Sequence, residues 1–404
     1  KKISKNNFLE IYLPRLFYSF YLEEKILSVI KNKNSSLKID FFSGNVDQLI
    51  CKKKNTIISD SYFNKYNFKK KTKKIHFIKK KIKTKKIEVK KIILGIGLPP
   101  PKKIQSNFVK SNNYIWDFYS EGGTQNLINK LMKLKKLKKI NLIFIGNKAG
   151  FLETMQKLEN IIKLRKLNLK IYCIASKNET LQKALLSKNY LSYKFKFLIN
   201  SEINKIKTAN KILSLIKNEF NHSKKKVFNK YDIWTLILKK KILNKCYKKL
   251  SFKEKKKYNS SIFTKIRNIT RYTYPETVNS KERLEKLGKI TFISDKVTFV
   301  KKNKDKFNLI TLKGKVLKGD LINNVSGPVN ICEVTNESAL LNSLKNITNK
   351  YDETGFFTDK DFKLTKDIFS PGVISNNFNP SRETIIKAIT DNVYKVVKKI
   401  CKEI

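Results

Sequence analysis

Ile140-Asn141-Leu142-Ile143-Phe144-Ile145-Gly146-Asn147-Lys148-Ala149-Gly150 is the stretch on which the fold turns. Its first six residues are an almost continuous apolar run, too short for a helix of ordinary length and apolar on both alternating faces, which is the pattern of a strand buried on two sides. Gly146 ends the run. After the turn, Leu152, Met155, Leu158, Ile161, Ile162 and Leu164 recur at helical spacing, and Lys170 to Ala175 returns to a strand pattern. Strand, glycine turn, helix and strand within roughly 35 residues make a βαβ unit, which requires a parallel sheet and a right-handed crossover.

Outward from this unit the pattern stays mixed. Upstream, Ile11 to Ile30 has apolar residues at spacings of three and four and predicts an amphipathic helix, with Pro14 tolerated in its first turn. Leu37 to Phe42, Gln48 to Cys51, Thr56 to Ser59, Ile75 to Ile78, Ile87 to Val89 and Lys91 to Leu94 read as short strands. The last of these runs into Gly95, Gly97 and Pro99-Pro100-Pro101, so the chain must leave its sheet there. Downstream, Asn178 to about Asn268 reads as helical and heavily basic, densest in lysine from Lys239 to Lys257. Strands follow at Ile290 to Ser294, Val297 to Lys301, Phe307 to Leu312 and Asp320 to Val325, the last ending in Ser326-Gly327-Pro328. A terminal helix is expected over Ser381 to Ile400, with Ile385, Ile386, Ile389, Val393, Val396, Val397 and Ile400 as its buried stripe. Lys74 to Pro101 and Lys289 to Pro328 share one plan: hairpin strands, a final apolar strand, then glycine and proline. Two copies flanking a βαβ unit suggest two related nucleotide-binding domains, one inserted in the other.

Composition narrows the function classes. The chain has 404 residues, 40% of them hydrophobic and 11% aromatic, enough apolar surface to exclude global disorder and to form two or three cores. Lys+Arg 89 against Asp+Glu 32 leaves a formal charge of +57, which invites polyanions. The only arginines are Arg15, Arg165, Arg267, Arg271, Arg283 and Arg382, however, and lysine runs through every segment beside Asn and Ile. These residues have A/T-rich codons, so base composition accounts for most of the charge, and base readout favours the arginine fork. Nonspecific adhesion to polyanions is the expected consequence. The Lys239 to Lys257 run, with Tyr247 and Tyr258, also fits a grip on nucleic-acid phosphate with rings stacking on bases; a solvated helix face is its plainer reading.

Cys51, Cys173, Cys246, Cys332 and Cys401 form no CxxC pair, which fits a reducing compartment, read as cytoplasmic, and no zinc site. With His76 and His222 the only histidines, a His-rich metal centre is excluded; His76 reads as an ordinary strand histidine and His222 as solvated. No stretch nears ~18 consecutive apolar residues, so no membrane span is expected. Trp116 and Trp234 read as core.

Several segments, in order, resemble the two-dinucleotide-binding-domain flavoproteins, specifically the bacterial FAD/NAD(P)-binding proteins of the YdhS-like type. They are Leu13-Pro14-Arg15-Leu16-Phe17-Tyr18 with Tyr21-Leu22, Ile93-Leu94-Gly95-Ile96-Gly97-Leu98-Pro99-Pro100, Tyr114-Ile115-Trp116-Asp117, Leu142 to Gly146, and Gly319 to Pro328. The resemblance implies an α/β fold with Rossmann-like domains: FAD-binding parts over 1–110 and 329–404, and an NAD(P)-binding part over 111–328 carrying the helical insertion at about 178–268. It implies FAD and NAD(P) as cofactors and a flavin-linked oxidoreductase passing hydride between them, with no dedicated acid or base and no visible substrate. By the same resemblance Pro14, Arg15, Gly95, Gly97, Gly146, Gly150, Gly327 and Gly372 are the cofactor-contact candidates. Two departures stand out. The family's first GxGxxG turn would precede Lys1, and Gly146-Asn147-Lys148-Ala149-Gly150 lacks GxGxxG spacing, with Lys148 available to offset a phosphate charge. In the segment from Ser370 to Asn377, no Asp follows Gly372; Asn376 offers a hydrogen bond but not a carboxylate, and a plain loop is the simpler reading. A catalytically silent nucleotide-binding homologue and a lysine-rich nucleic-acid-associated protein on a vestigial scaffold are the competing expectations.

Overall fold

The computed structural model describes residues 24–25, 28, 41–43, 46–51, 55–71, 74–96, 101, 103–107, 111–177, 180–226, 228–304, 306–327, 338–348, 350–352, 355–375 and 385–403. They divide into two compact units, one within 1–91 and 338–347 and the other within 92–337 and 348–404. Pro14, Arg15, Gly97 and Asn376, and most of the helix expected over Ile11 to Ile30, lie outside the described residues.

In the first unit a strand at Asn55–Lys71 pairs antiparallel with Lys74–Val89, Gln48–Cys51 and Phe41–Ser43. The expected strand Gln48–Cys51 is present as such, whereas Thr56 to Ser59, Ile75 to Ile78 and Ile87 to Val89 are parts of two long strands. Isolated apolar pairs such as Ile57 with Ile87 and Phe68 with Phe77 sit cross-strand, and the lysines between them remain in the ladder, so polar residues that read as connections extend the strands. His76 is in the ladder opposite Lys69. A helix at Ala339–Thr348 is tied to the sheet through Ser343, whose hydroxyl accepts from Leu49 N–H at 2.8 Å and donates to Leu49 C=O at 2.9 Å.

The second unit contains the βαβ core. The strands of its two larger sheets are β1 (Gln105–Ser106), β2 (Tyr114–Ile115), β3 (Ile140–Ile145), β4 (Leu169–Ala175), β5 (Ile290–Ser294), β6 (Val297–Asn303), β7 (Lys306–Thr311), β8 (Val316–Gly319) and β9 (Leu321–Asn324). The helices that accompany them include α1 (Gly123–Lys133), α2 (Ala149–Arg165), α3 (Ala209–Lys224), α4 (Lys230–Lys239), α5 (Ile242–Lys248), α6 (Phe252–Lys257), α7 (Phe263–Ile269) and α8 (Pro275–Lys286). A five-stranded sheet runs β5-β4-β3-β9-β2, every pair parallel. This is an α/β, Rossmann-like arrangement: the chain winds outward from β3 through α2 to β4 and then β5, and returns on the other side of β3 as β9.

Alternation along the strands decides the layers. Leu142, Phe144, Ile171, Cys173 and Leu321 point to one face, where they meet Phe151, Met155 and Leu158 of α2, Leu127 and Leu131 of α1, and Leu284 of α8. Ile143, Ile145, Ile174 and Ile322 point to the other, against Val300, Phe307, Leu309 and Leu317 of a second sheet ordered β8-β7-β6-β1. Each strand is buried twice, as its unbroken apolar run requires. On α2 the expected stripe holds through Ile162, but Leu164 is 82% exposed because it falls off the 100° stripe that Leu158 and Ile162 define. On the C-terminal helix, Ile385–Glu403, Val396 is buried whereas Val397 is 43% exposed for the same reason.

The segment read as a basic helical run folds around its own core of Ile212, Ile216, Ile233, Ile237, Leu243, Cys246, Tyr258 and Ile266. Trp234 packs against this core, and the half-buried His222 sets its ring edge-on to Phe197 rather than standing in solvent. Glu219 organises the entry. Fully buried on α3, it accepts from Tyr193 Oη at 2.5 Å and from the N–H groups of Lys196, Phe197 and Leu198, fastening that loop to the helix. Tyr258 is 1% exposed and packs edge-on against Tyr247 at 5.3 Å, so its ring is not available to stack on a base.

Helices α2 and α8 are joined by Arg283, whose Nε and Nη2 donate to the two oxygens of Glu159 at 2.7 and 2.8 Å. Glu159 is 3% exposed, and the guanidinium, with Lys163 and Ser280 assisting, holds its carboxyl down at about 2. Because this value lies below that of an unfolded glutamate, the pair contributes full stability above pH ~4.5 and loses it as pH falls toward 2. Thermal unfolding followed against pH will show that acid limb. In Arg283→Met the limb shrinks and neutral-pH stability drops, since Glu159 then lacks its main counter-charge.

A candidate dinucleotide cleft at the strand ends

Open α/β sheets bind ligands beyond the carboxyl ends of their strands, where the winding direction reverses. Here that place lies between β3 and β9, and a cleft of about 620 Å³ opens there. It is lined by Ile145 to Lys148 after β3, Ile174 to Ser176 at the end of β4, Asp295 to Thr298 between β5 and β6, Val325 and Ser326 after β9, and Lys103 to Gln105. Apolar strand ends form its floor and three lysines, Lys103, Lys148 and Lys296, stand in its walls.

Gly146 makes the turn. Its φ is +107°, and a Cβ there would fall 2.6 Å from the Val325 carbonyl oxygen, so both conformation and space exclude any side chain. Its N–H donates to Ile174 C=O at 2.8 Å, and Val325 N–H donates to Ile145 C=O at 2.9 Å, which seats the turn between its two neighbouring strands. Gly150 is the second residue of α2, where a Cβ would meet the Val325 side chain at 3.0 Å. These two glycines thus serve close packing of β3, α2 and β9. Where a GxGxxG turn would place a second glycine for the pyrophosphate, this chain has Lys148.

The turn nevertheless suits an anion. Helix α2 has no acidic residue in its first turn and no side-chain hydrogen bond capping its start, a helix N-terminus of the kind that receives anions. Lys148 adds a full positive charge at the same point. The one carboxylate in the lining, Asp295, is engaged: the Thr311 hydroxyl, the N–H groups of Lys296 and Lys313 and the nearby Lys313 ammonium hold its carboxyl below the usual range. Asn147, 2% exposed, donates from Nδ2 to Lys177 C=O at 2.5 Å and fixes the turn to the loop after β4. Cys173 directs its Sγ toward Gly146 C=O at 3.4 Å, and burial pushes its thiol far up, so it remains a neutral packing group.

The other glycine candidates separate into two places. Gly327, φ +93°, directly follows the cleft residue Ser326. Gly95 and Gly372 lie together elsewhere in the unit. Ile92–Ile93 pairs parallel with Ile368–Phe369, Leu94 N–H donates to Phe369 C=O at 2.8 Å, and a Cβ on Gly372 would sit 3.4 Å from Ile96 C=O. Two parallel strands therefore end side by side in glycine-bearing exits. The fully buried Ser370 hydroxyl at this exit has no hydrogen-bond partner among the described residues, as expected of a group that meets a polar ligand. The residues present at both exits fit nucleotide cofactors.

Lys103, Ser176, Asp295 and Lys296 were not singled out by the sequence. Asp295 and Lys296 stand about 120 residues beyond the β4 end with which they share the cleft, and no local spacing encodes that meeting. For Ser176, Asp295 and Lys296 the available signal was positional, since they follow the ends of recognisable strands; Lys103, which precedes β1, had none.

No known protein-family profile matches the chain, and no curated protein sequence matches it. Solved structures do. The chain is similar to the FAD-bound cadaverine monooxygenase of the desferrioxamine pathway from Erwinia amylovora, with 9% identity and a TM-score of 0.48 over 95% of this chain and 76% of that one. It is similar to ornithine hydroxylase from Pseudomonas aeruginosa, with 10% identity and a TM-score of 0.43 over 97% and 77%. Thioredoxin reductase from Lactococcus lactis is a third similar structure, at 10% identity and a TM-score of 0.38 over 88% and 75%.

Proposed function

We propose that this protein binds FAD and a nicotinamide dinucleotide and is a flavin-linked oxidoreductase, of the kind the YdhS-like sequence pattern implies. The observation that carries the reading is the lysine-walled cleft at the carboxyl ends of β3, β4 and β9, opening onto the start of α2. Here the α2 N–H groups and Lys148 hold the pyrophosphate, Gly146 sets the turn, and the apolar strand ends support the rest of the dinucleotide. The Gly95 and Gly372 exits, with Ser370 between the strand and its turn, lie toward FAD. On this reading 111–328 is the NAD(P)-binding domain with its helical insertion, and 1–110 with 329–404 contribute the FAD-binding one. When bound, the two cofactors supply hydride transfer, and the chain's own part is to orient their rings and exclude water.

No described helix is long and apolar enough to cross a membrane. The cysteines Cys173, Cys246 and Cys401 form no disulfide among the described residues, in keeping with the reducing, cytoplasmic setting proposed from the cysteine pattern. The surplus lysine charge adds weak polyanion adhesion that moderate salt removes.

The test is anaerobic. The full chain is loaded with FAD, freed of excess by gel filtration, and mixed with NADPH or NADH. The expected result is stoichiometric flavin retention and bleaching of its visible absorbance. Retained flavin that neither nucleotide bleaches marks a silent homologue and overturns the oxidoreductase reading; no retained flavin overturns the FAD assignment.

A further inference from the structure

The cleft contains a second cue, at the end of β4, whose meaning rests on the dinucleotide reading of the site. When a pyrophosphate sits on the helix that follows the first strand of such a sheet, the adenosine ribose lies over the end of the neighbouring strand. A carboxylate there accepts from the ribose 2′-hydroxyl and selects NAD, whereas a cation there accommodates a 2′-phosphate. In this chain the first strand is β3 and its neighbour is β4, which ends at Ala175 and continues into Ser176 and Lys177, both exposed. Ser176 lines the cleft.

The backbone of that pair is fixed from both sides. Ser176 C=O accepts from the Ser294 hydroxyl at 3.3 Å, and Lys177 C=O accepts from Asn147 Nδ2 at 2.5 Å. Asn147 belongs to the pyrophosphate turn itself, so the two phosphate-facing segments are held in one register. Both tethers use carbonyls, leaving the Ser176 hydroxyl and the Lys177 ammonium as the groups that the loop presents. Among the described residues the only carboxylate lining the cleft is Asp295, and its oxygens are turned to Thr311 and to the Lys296 and Lys313 backbone. Lys296 is in the lining, and Lys313 donates from Nζ to Ser294 C=O at 3.4 Å. Among the described residues a 2′-hydroxyl would find no free carboxylate here, while a 2′-phosphate would meet the Ser176 hydroxyl and nearby ammonium groups.

We propose that the end of β4, through Ser176 and Lys177, makes this cleft selective for the 2′-phosphorylated dinucleotide, NADP(H), over NAD(H). The preference belongs to the position of the phosphate, beyond the general attraction of a basic protein for an additional charge.

Calorimetric titration of the full chain at physiological salt separates these. The probes are NADPH, NADH, and the isomeric pair 2′,5′-ADP and 3′,5′-ADP, which carry equal charge. NADPH is expected to bind about tenfold or more tighter than NADH, and 2′,5′-ADP tighter than its isomer. In Ser176→Ala/Lys177→Ala, NADPH affinity falls about tenfold while NADH affinity holds, which also shows that the variant is folded. If NADPH and NADH bind equally, or the two ADP isomers do, the selectivity proposal is overturned and the dinucleotide reading stands. If neither dinucleotide binds, both fall.

Discussion

Replacing Gly146 with alanine is expected to destabilise the second unit by about 2–5 kcal/mol, the sum of a left-handed backbone strain of about 1–2 kcal/mol and an overpacking cost of about 1–3 kcal/mol. Both contributions arise at one atom. The new Cβ would lie 2.6 Å from Val325 O and 2.8 Å from Ser326 Cα, all backbone, in a turn held by hydrogen bonds on either side. No side-chain truncation relieves this, so adding Val325→Ala should leave the loss unchanged. Gly150→Ala is the contrasting case. Its contacts are Val325 Cγ1 and Cβ at 3.0 and 3.1 Å, so it should cost about 1 kcal/mol, and Val325→Ala should recover much of that. Urea unfolding of these four variants, with Val325→Ala alone as the reference for the two doubles, distinguishes a backbone-limited turn from a side-chain-limited one.

The second large effect is on binding. Lys148→Glu places a carboxylate at the start of α2, where it opposes a pyrophosphate, and removes the ammonium that would meet it. A charge-assisted contact is worth about 1.5–3 kcal/mol, so NADPH affinity should fall by at least about 10- to 150-fold from the loss and reversal together. Stability should not fall, because a negative charge near a helix N-terminus is favourable by a few tenths of a kcal/mol. Binding lost with stability kept is an outcome that a packing role for Lys148 would not produce. Lys163→Glu, on the solvent side of α2, controls for general charge; it should weaken NADPH only slightly, as screening at physiological salt predicts.

The core was legible because its physics is local. A strand buried on both faces must be apolar without alternation, and Ile140 to Ile145 is; a helix packed on one face must repeat at 3.6, and Leu152, Met155 and Leu158 do. The strands from Ile290 to Val325 carried the same information. The ribbon of Asn55–Lys71 and Lys74–Val89 was harder to read, since its lysines pair in the ladder while resembling loop composition. In the helical insertion the lysine run hid a second core. Ile242, Leu243, Cys246 and Tyr258 are buried beneath the ammonium groups that dominate the sequence there, and Lys241 at φ +54° breaks what looked like one helix into two. The cleft was half legible. Gly146 and Lys148 are near neighbours in sequence, but Lys103, Ser176 and Lys296 meet them only through the strand order.

Diffraction from crystals of the full chain grown with NADPH decides whether the start of α2 is a pyrophosphate seat. Pyrophosphate density is expected within hydrogen-bonding distance of the first N–H groups of α2, flanked by Lys148, with the adenosine ribose over Ser176. A dinucleotide bound elsewhere in the unit, with the α2 start facing only solvent, would refute that assignment.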